Sequence, residues 1–201
     1  MRLLVATNNP GKLHEFSDLL AGLPVDLVAP SQLGIDLNVE ETGRSFSENA
    51  IIKATAYAIA SGLCALADDS GLEVDALGGE PGINSSKYLG PDATDADRVQ
   101  GLLRRLAQVP WQQRTARFRC AIAIACPGGV VEVTEDTCQG VIAFSPEGKH
   151  GFGYDPVFYL PELGLTMAQL PASEKHRISH RAKAARKARP IIEHLARGSS
   201  R

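Results

Sequence analysis

Residues 3–20 read LLVATNNPGKLHEFSDLL, and this stretch decides the fold class. Leu3 to Ala6 is an apolar run of strand length. Thr7-Asn8-Asn9-Pro10-Gly11-Lys12 breaks it, and Leu13, Phe16, Leu19 and Leu20 then recur at helical spacing. Strand, loop and helix in that order open an α/β arrangement. The loop has the physical features of a phosphate cradle: small and amide side chains, a glycine admitting close backbone approach, a lysine, and a helix N-terminus behind them. It lacks the Gly-x-x-x-x-Gly-Lys-Ser/Thr spacing of a P-loop, so taken alone a strand-to-helix turn is the simpler reading.

Outward from this segment, Val25 to Val28 reads as a second strand, followed by a polar connection containing Glu40, Glu41, Thr42 and Gly43. Ser45-Phe-Ser-Glu48 fits a capping box, and the Ala-rich run after it predicts a helix that stops at Gly62. Leu63 to Ala67 is strand-like and is expected to end at Asp68-Asp69-Ser70-Gly71. A Gly/Pro-rich loop, Gly78 to Gly90, leads to a helix opened by Thr94-x-x-Asp97 and carried by Val99, Leu102, Leu103 and Leu106. Phe118 to Cys126 and Val130 to Phe144 are β-prone, with Pro127-Gly128-Gly129 as a hairpin turn. Ser145 to Pro161 is loop-like and aromatic. Ser173 to Arg189 reads as a helix, and Pro190 is expected to start a separate short one through Leu195. The mixed order implies an α/β sheet that is not purely parallel, in one domain over residues 1–197 with a disordered tail at 198–201.

Composition narrows the field. At 201 residues with 44% hydrophobic side chains the chain can bury a sizeable core, and a net charge of -2 argues against a surface that tracks nucleic acid throughout. No run approaches the ~20 apolar residues of a membrane span, and the N-terminal apolar run is too short for a signal sequence. Cys64, Cys120, Cys126 and Cys138 have no metal-binding spacing and sit mostly in apolar runs, so reduced thiols and a cytoplasmic location are expected. There is no internal repeat.

Several groups carry candidate chemistry. Asp68 and Asp69 are adjacent carboxylates, costly to place together unless a cation relieves their repulsion. A divalent metal with Glu41 as third carboxylate is one solution; an Asp-Asp-Ser-Gly turn capped by side chains is the other. Asn49 and Lys53 lie four apart and share a helix face that begins beside Glu41. Ser173 to Lys183 carries many donors, among them Lys175, His180 and Arg181, and a basic helix is most often a solvated face. Phe152 and Tyr154 either pack a loop or offer a base a stacking platform.

Taken in order, Thr7-Asn-Asn-Pro-Gly-Lys12, Glu41-Thr-Gly-x-Ser-Phe-x-Glu-Asn-Ala50 with Lys53, Ala67-Asp-Asp-Ser-Gly-Leu72, Gly78-Gly-x-Pro-Gly82, Gly151-Phe-Gly-Tyr-Asp-Pro156 and Lys175 through Ser179-His-Arg181 resemble the inosine triphosphate pyrophosphatase family nearly end to end. The resemblance implies an elongated mixed β-sheet with flanking helices forming two lobes around a central cleft, and a homodimer. It implies hydrolysis of ITP, dITP and XTP to the monophosphate and pyrophosphate, with at least one Mg2+ per site, replaceable by Mn2+. Thr7, Asn8, Asn9, Pro10, Gly11, Lys12 and Lys53 would hold the triphosphate; Glu41, Asp68 and Asp69 the metal. Asp69 would be the base. Phe152 would stack on the purine, with Ser70, Gly153, Tyr154, Asp155, Lys175, His180 and Arg181 completing the pocket. Neither nucleic acid nor membrane is an expected partner. Lys87, Gln169 and Ser45 depart from the family's usual arginine, glutamate and threonine. A Maf-like pyrophosphatase, which would lack Ser179-His-Arg181, and an RNA-binding module using the basic helix are the alternatives. The second leaves Glu41, Asp68 and Asp69 unexplained.

Overall fold

The computed structural model describes residues 1–129 and 131–198. Twelve elements carry the fold among them: β1 (Arg2–Val5), α1 (Pro10–Leu19), β2 (Asp26–Val28), α2 (Phe46–Ser61), β3 (Cys64–Val74), α3 (Asp95–Arg105), β4 (Thr115–Ala125), β5 (Val131–Ile142), β6 (Phe158–Leu160), β7 (Leu165–Thr166), α4 (Ala172–Ile178) and α5 (His180–Gly198). The strands form one sheet in the order β2-β1-β3-β4-β5-β6-β7. β1 is parallel to both neighbours, with Leu3 opposite Leu27 and Cys64, whereas β6 is antiparallel to β5 and β7. The sheet is therefore mixed, as the element order implied.

The local signals behave as their chemistry dictates. Asn9 caps α1, its side-chain oxygen accepting from the Gly11 and Lys12 amides at 2.8 and 3.2 Å, and Pro10 occupies a first-turn position where a missing N–H costs nothing. Ser45 caps α2 by accepting from the Glu48 amide at 3.2 Å, and Glu48 reaches back to the Arg44 amide. Thr94 and Asp97 form the reciprocal box that opens α3.

The chain resolves into two compact units. One comprises Met1–Asp69 and Cys120–Asp136 with the C-terminal helix from Arg181; the other comprises Ser70–Arg119 and Thr137–His180. In the first, Leu3, Val5 and Leu66 of the sheet pack with Phe16 and Leu20 of α1, and with Ala184, Ala185, Ala188 and Ile192 of α5. The alanines bring α5 close to the strands. In the second, Leu72 and Val74 pack with Leu102 and Leu106 of α3, and with Phe118, Val157, Phe158 and Met167.

Four expectations are corrected. β3 does not stop at Asp68 but runs through Asp68-Asp69-Ser70-Gly71 to Val74, because both carboxylates find cations and the flanking Leu66, Ala67 and Leu72 are fully buried. Pro190 lies inside α5 rather than starting a new helix; Ala188 and Ile192 on either side are buried, which offsets the lost backbone hydrogen bond. The predicted helix from Ser173 breaks instead at Ser179, whose backbone is extended between α4 and α5. Cys64 and Cys126 form a disulfide with Cα atoms 4.0 Å apart, where four reduced thiols were expected; β3 and β4 bring together residues 62 apart in sequence. Cys120 and Cys138 are buried thiols outside this disulfide. Of the expected tail, Gly198 closes α5, and residues 199–201, like Val130 at the expected start of β5, lie outside the described residues.

Candidate active site

In the first unit, consecutive residues of β3 face opposite sides of the sheet, because side chains alternate along a strand. Asp68 turns toward α1 and α5. Its Oδ2 accepts from Lys12 Nζ at 3.0 Å and from Arg181 Nη2 at 3.1 Å, with the side chain 1% exposed. Arg181 Nη1 also binds Glu15 Oε2 at 2.6 Å, so a buried chain of alternating charge runs Lys12, Asp68, Arg181, Glu15. Burial pushes the Asp68 carboxyl up, but Lys12, Arg181 and Lys53 outweigh it and hold the group well below the usual carboxylate range. Asp68 is a fixed anion.

Asp69 turns toward α2. Its Oδ2 accepts from Asn49 Nδ2 and its Oδ1 from Lys53 Nζ, both at 3.2 Å, and Lys53 Nζ donates at 2.7 Å to Glu41 Oε1. Burial, the largest influence, raises the Asp69 carboxyl; Lys53 and Lys12 pull it back and nearby Glu41 adds to the rise, leaving it above its ordinary value. The two neighbours are thus pushed in opposite directions by the two faces of one strand. Such a divergence is what acid–base chemistry needs. Lys53 loses to burial but gains more from Asp69, Asp68 and Glu41, so its ammonium is held above its ordinary value. Asn49 is itself locked: its Oδ1 accepts from the Gly43 amide at 2.8 Å, and a side chain on Gly43 would collide with it.

The loop before α1 is held by its own side chains. Thr7 Oγ1 accepts from the Asn9 amide at 3.1 Å, and residues 8–10 are exposed beside the α1 N-terminus. The repulsion between Asp68 and Asp69, which on its own would call for a metal, is relieved partly by the protein, since Lys12, Lys53 and Arg181 already balance the two carboxylates. Among the described residues no three His, Cys, Asp or Glu side chains form a preformed cage. The donor chemistry nevertheless fits a magnesium ion that relies on few protein ligands: Glu41 and Asp69 offer oxygens to one common cationic point, now Lys53 Nζ.

In the second unit the Gly151–Pro156 loop is pinned from several sides. Asp155, 3% exposed, accepts at Oδ2 from Lys175 Nζ at 2.7 Å and from the Phe152 amide at 3.0 Å. Gly151 has φ +76°, and a side chain there would run into the Asp155 carboxylate. Lys175 Nζ sits 5.0 Å from the half-buried Phe152 ring, a cation–π distance. His180 stacks on Phe118 with centroids 4.8 Å apart. Ser70 is half-buried on β3.

Tyr154 is buried and donates its hydroxyl to the Ser85 carbonyl at 3.0 Å, anchoring the loop. Arg181 joins the Asp68 and Glu15 cluster of the first unit. Glu15 was absent from the candidate groups, and Asn49 stood among them without a site role. Asn49 carried a signal in its spacing from Lys53; Glu15 carried only its place three residues after Lys12 on a helix with a buried face. Gln169 has a physical account: Oε1 accepts from the Thr166 amide at 2.7 Å while Nε2 donates to Glu147 at 3.2 Å, a contact a glutamate would turn into repulsion. Lys87 is exposed.

With this geometry in place, similarity to known proteins is informative. The model of the Ham1 family matches residues 3–191. The chain is 49% identical over 199 residues to the dITP/XTP pyrophosphatase of Geobacillus kaustophilus, covering 99% of this chain and 98% of that protein. The HAM1 protein of Coxiella burnetii superposes with a TM-score of 0.88 at 40% identity, over 96% of this chain and 99% of that one. The Ham1 protein of Staphylococcus aureus does so with a TM-score of 0.86 at 40% identity, covering 97% and 100% of the two chains.

Proposed function

The chain belongs to the Ham1 family, and from that premise we propose that it hydrolyses non-standard purine nucleoside triphosphates, dITP and XTP among them, to the nucleoside monophosphate and pyrophosphate. The observation that carries the reading is the pair of neighbouring carboxylates on β3, one fixed as an anion by Lys12 and Arg181, the other raised by burial and held in place by Asn49 and Lys53. Asp69 takes the proton of the attacking water at a carboxylate oxygen as the water adds to the α-phosphorus. The bond from that phosphorus to the α–β bridging oxygen breaks, and pyrophosphate leaves with the electron pair. Asn49 and Lys53 keep the carboxylate oriented while it does so.

Lys12 and Lys53 meet the phosphate charge, with Thr7, Asn8 and Asn9 shaping the cradle. Magnesium, or manganese in its place, is assigned to Glu41 and Asp69, where it would neutralise charge on the phosphate oxygens. Asp68, expected among the metal ligands, is instead given the part of balancing Lys12 and Arg181, which its Oδ2 meets at 3.0 and 3.1 Å.

Reading of the base is assigned to the aromatic loop and Lys175. Phe152 is the stacking ring, and Lys175, its ammonium steadied by Asp155, donates to a 6-oxo group. A 6-amino purine would set donor against donor, so ATP should be a poor substrate. A cytoplasmic homodimer is part of the same reading; among the described residues no helix is long and apolar enough to cross a membrane. The test is pyrophosphate release from dITP, XTP, GTP, ATP and dTTP, each with magnesium and with EDTA. Magnesium-dependent release from dITP and XTP with little from ATP supports the proposal. No release from any triphosphate sinks the catalytic reading, and preference for dTTP sinks the purine pocket.

A further inference from the structure

Two consecutive amides of the aromatic loop are held by carboxylates from different elements of the second unit. The Phe152 amide donates to Asp155 within the loop itself, but the Gly153 amide donates at 2.8 Å to Asp95 Oδ2, 58 residues distant in sequence. Asp95 is the first residue of α3, yet the helix does not use it as a cap. That task belongs to Thr94 and Asp97, whose hydroxyl and carboxylate satisfy each other's backbone amides at 3.1 and 2.9 Å. The second oxygen of Asp95 accepts from Arg98 Nη1 at 3.1 Å, one turn along. Arg98, its side chain only 14% exposed, turns the carboxylate toward the loop. Gly153 has φ +61°, a conformation that glycine adopts without a steric penalty.

We propose that Asp95 is a positioning residue for substrate selection: by holding the Gly153 N–H it fixes the backbone from which Phe152 projects, and so sets the attitude of the ring on which the purine stacks. The inference rests on Phe152 being the stacking residue. Loss of the Asp95 contact leaves the ring in place chemically but gives the loop more orientations. Binding of every purine then weakens, and the advantage of a 6-oxo over a 6-amino base narrows, since the donor-to-oxygen geometry depends on the tilt of the base. Proton transfer at Asp69 draws on none of these groups, so the effect falls on KM and not on kcat.

The experiment compares Asp95→Ala, Asp95→Asn and Asp97→Ala with the unaltered chain, reading KM and kcat for XTP and ATP, and hydrogen exchange of the Gly153 amide in the nucleotide-free protein. Asp95→Ala should speed Gly153 exchange and raise KM for XTP about tenfold, the loss of one hydrogen bond to a charged acceptor, with kcat held within roughly twofold. Asp95→Asn keeps an acceptor without the charge and should recover part of both effects. Asp97→Ala damages the α3 cap alone; it should lower the melting midpoint and leave the XTP-to-ATP preference unchanged. Unaltered Gly153 exchange in Asp95→Ala overturns the contact. Faster exchange with unchanged KM overturns its role in selection, as does an equal loss of preference in Asp97→Ala. If the unaltered chain cleaves no triphosphate, the reading of the site fails and the substrate role of Asp95 with it, while the exchange comparison still decides whether Asp95 holds the loop.

Discussion

Replacement of Arg181 by methionine removes the guanidinium from the Lys12–Asp68–Arg181–Glu15 chain while keeping most of its bulk. Two carboxylates lose a partner at once: Glu15 Oε2, 2.6 Å from Nη1, and Asp68 Oδ2, 3.1 Å from Nη2, both on buried residues. Breaking a buried ion pair by deleting one member costs roughly 3–5 kcal/mol, because the charge left behind is poorly compensated. Lys12 still faces Asp68 at 3.0 Å, so the larger part of that cost falls on Glu15. Arg181→Met should therefore be destabilised by about 3–5 kcal/mol, a drop in melting midpoint of about 6–20 °C for a chain of this size. Adding Glu15→Gln removes the anion left behind and should return about 1–3 kcal/mol, making the double variant more stable than the sum of the two singles. Urea unfolding of the unaltered chain, the two single variants and the double variant, followed by far-UV circular dichroism, supplies the four free energies needed. Additivity within about 0.5 kcal/mol, or a single-variant cost below about 1 kcal/mol, would show that these groups do not form the coupled cluster described here.

Other outcomes follow from the same geometry. Asp69→Asn should reduce pyrophosphate release by about 10²–10⁴-fold with an unaltered circular dichroism spectrum, and near-normal turnover would remove Asp69 from the role of base. Lys12→Ala should lower kcat/KM for XTP by roughly tenfold or more through lost phosphate contact, with Arg181 still neutralising Asp68; an unchanged kcat/KM in steady-state kinetics would take Lys12 out of the cradle. Cys64→Ser opens a loop whose ends are 62 residues apart and should cost up to ~4 kcal/mol, and a reducing agent should produce the same fall in the unaltered chain. A melting midpoint indifferent to both treatments contradicts the disulfide. EDTA should stop hydrolysis, and added magnesium should restore it; activity that survives thorough chelation argues against a metal at Glu41 and Asp69.

What the sequence made legible was local. Asn9, Ser45 and Thr94 with Asp97 announce helix starts because a cap acts within three or four residues of itself, and Gly62 announces a stop for the same reason. Asn49 and Lys53 shared a face by spacing alone. The groups that stayed hidden are those whose partners are remote. Nothing near Asp68 says that Arg181 arrives from 113 residues away, or that its presence lets β3 continue through two carboxylates. The pairing of Cys64 with Cys126 depends on strand adjacency, which spacing does not encode. Tyr154 stayed open between packing and stacking because an aromatic in a loop carries no mark of whether its hydroxyl has a partner inside the fold. Pro190 was read by its usual helix-starting habit, whereas burial of Ala188 and Ile192 keeps it within α5.

The opposite facing of Asp68 and Asp69 makes the alignment of β3 a condition of activity. A slip of one residue against β1, where Val5 now stands opposite Leu66, would exchange the two environments wholesale. The residue now poised would meet Lys12 and Arg181, and the residue now clamped would meet Asn49 and Lys53. The same slip would turn Leu66 away from α1 and α5, and Ala65 and Ala67 toward them, emptying the apolar packing that holds those helices. Correct placement of the base is thus tied to correct burial of its neighbours, so a misaligned chain is penalised as a folding error before it could act as a careless enzyme.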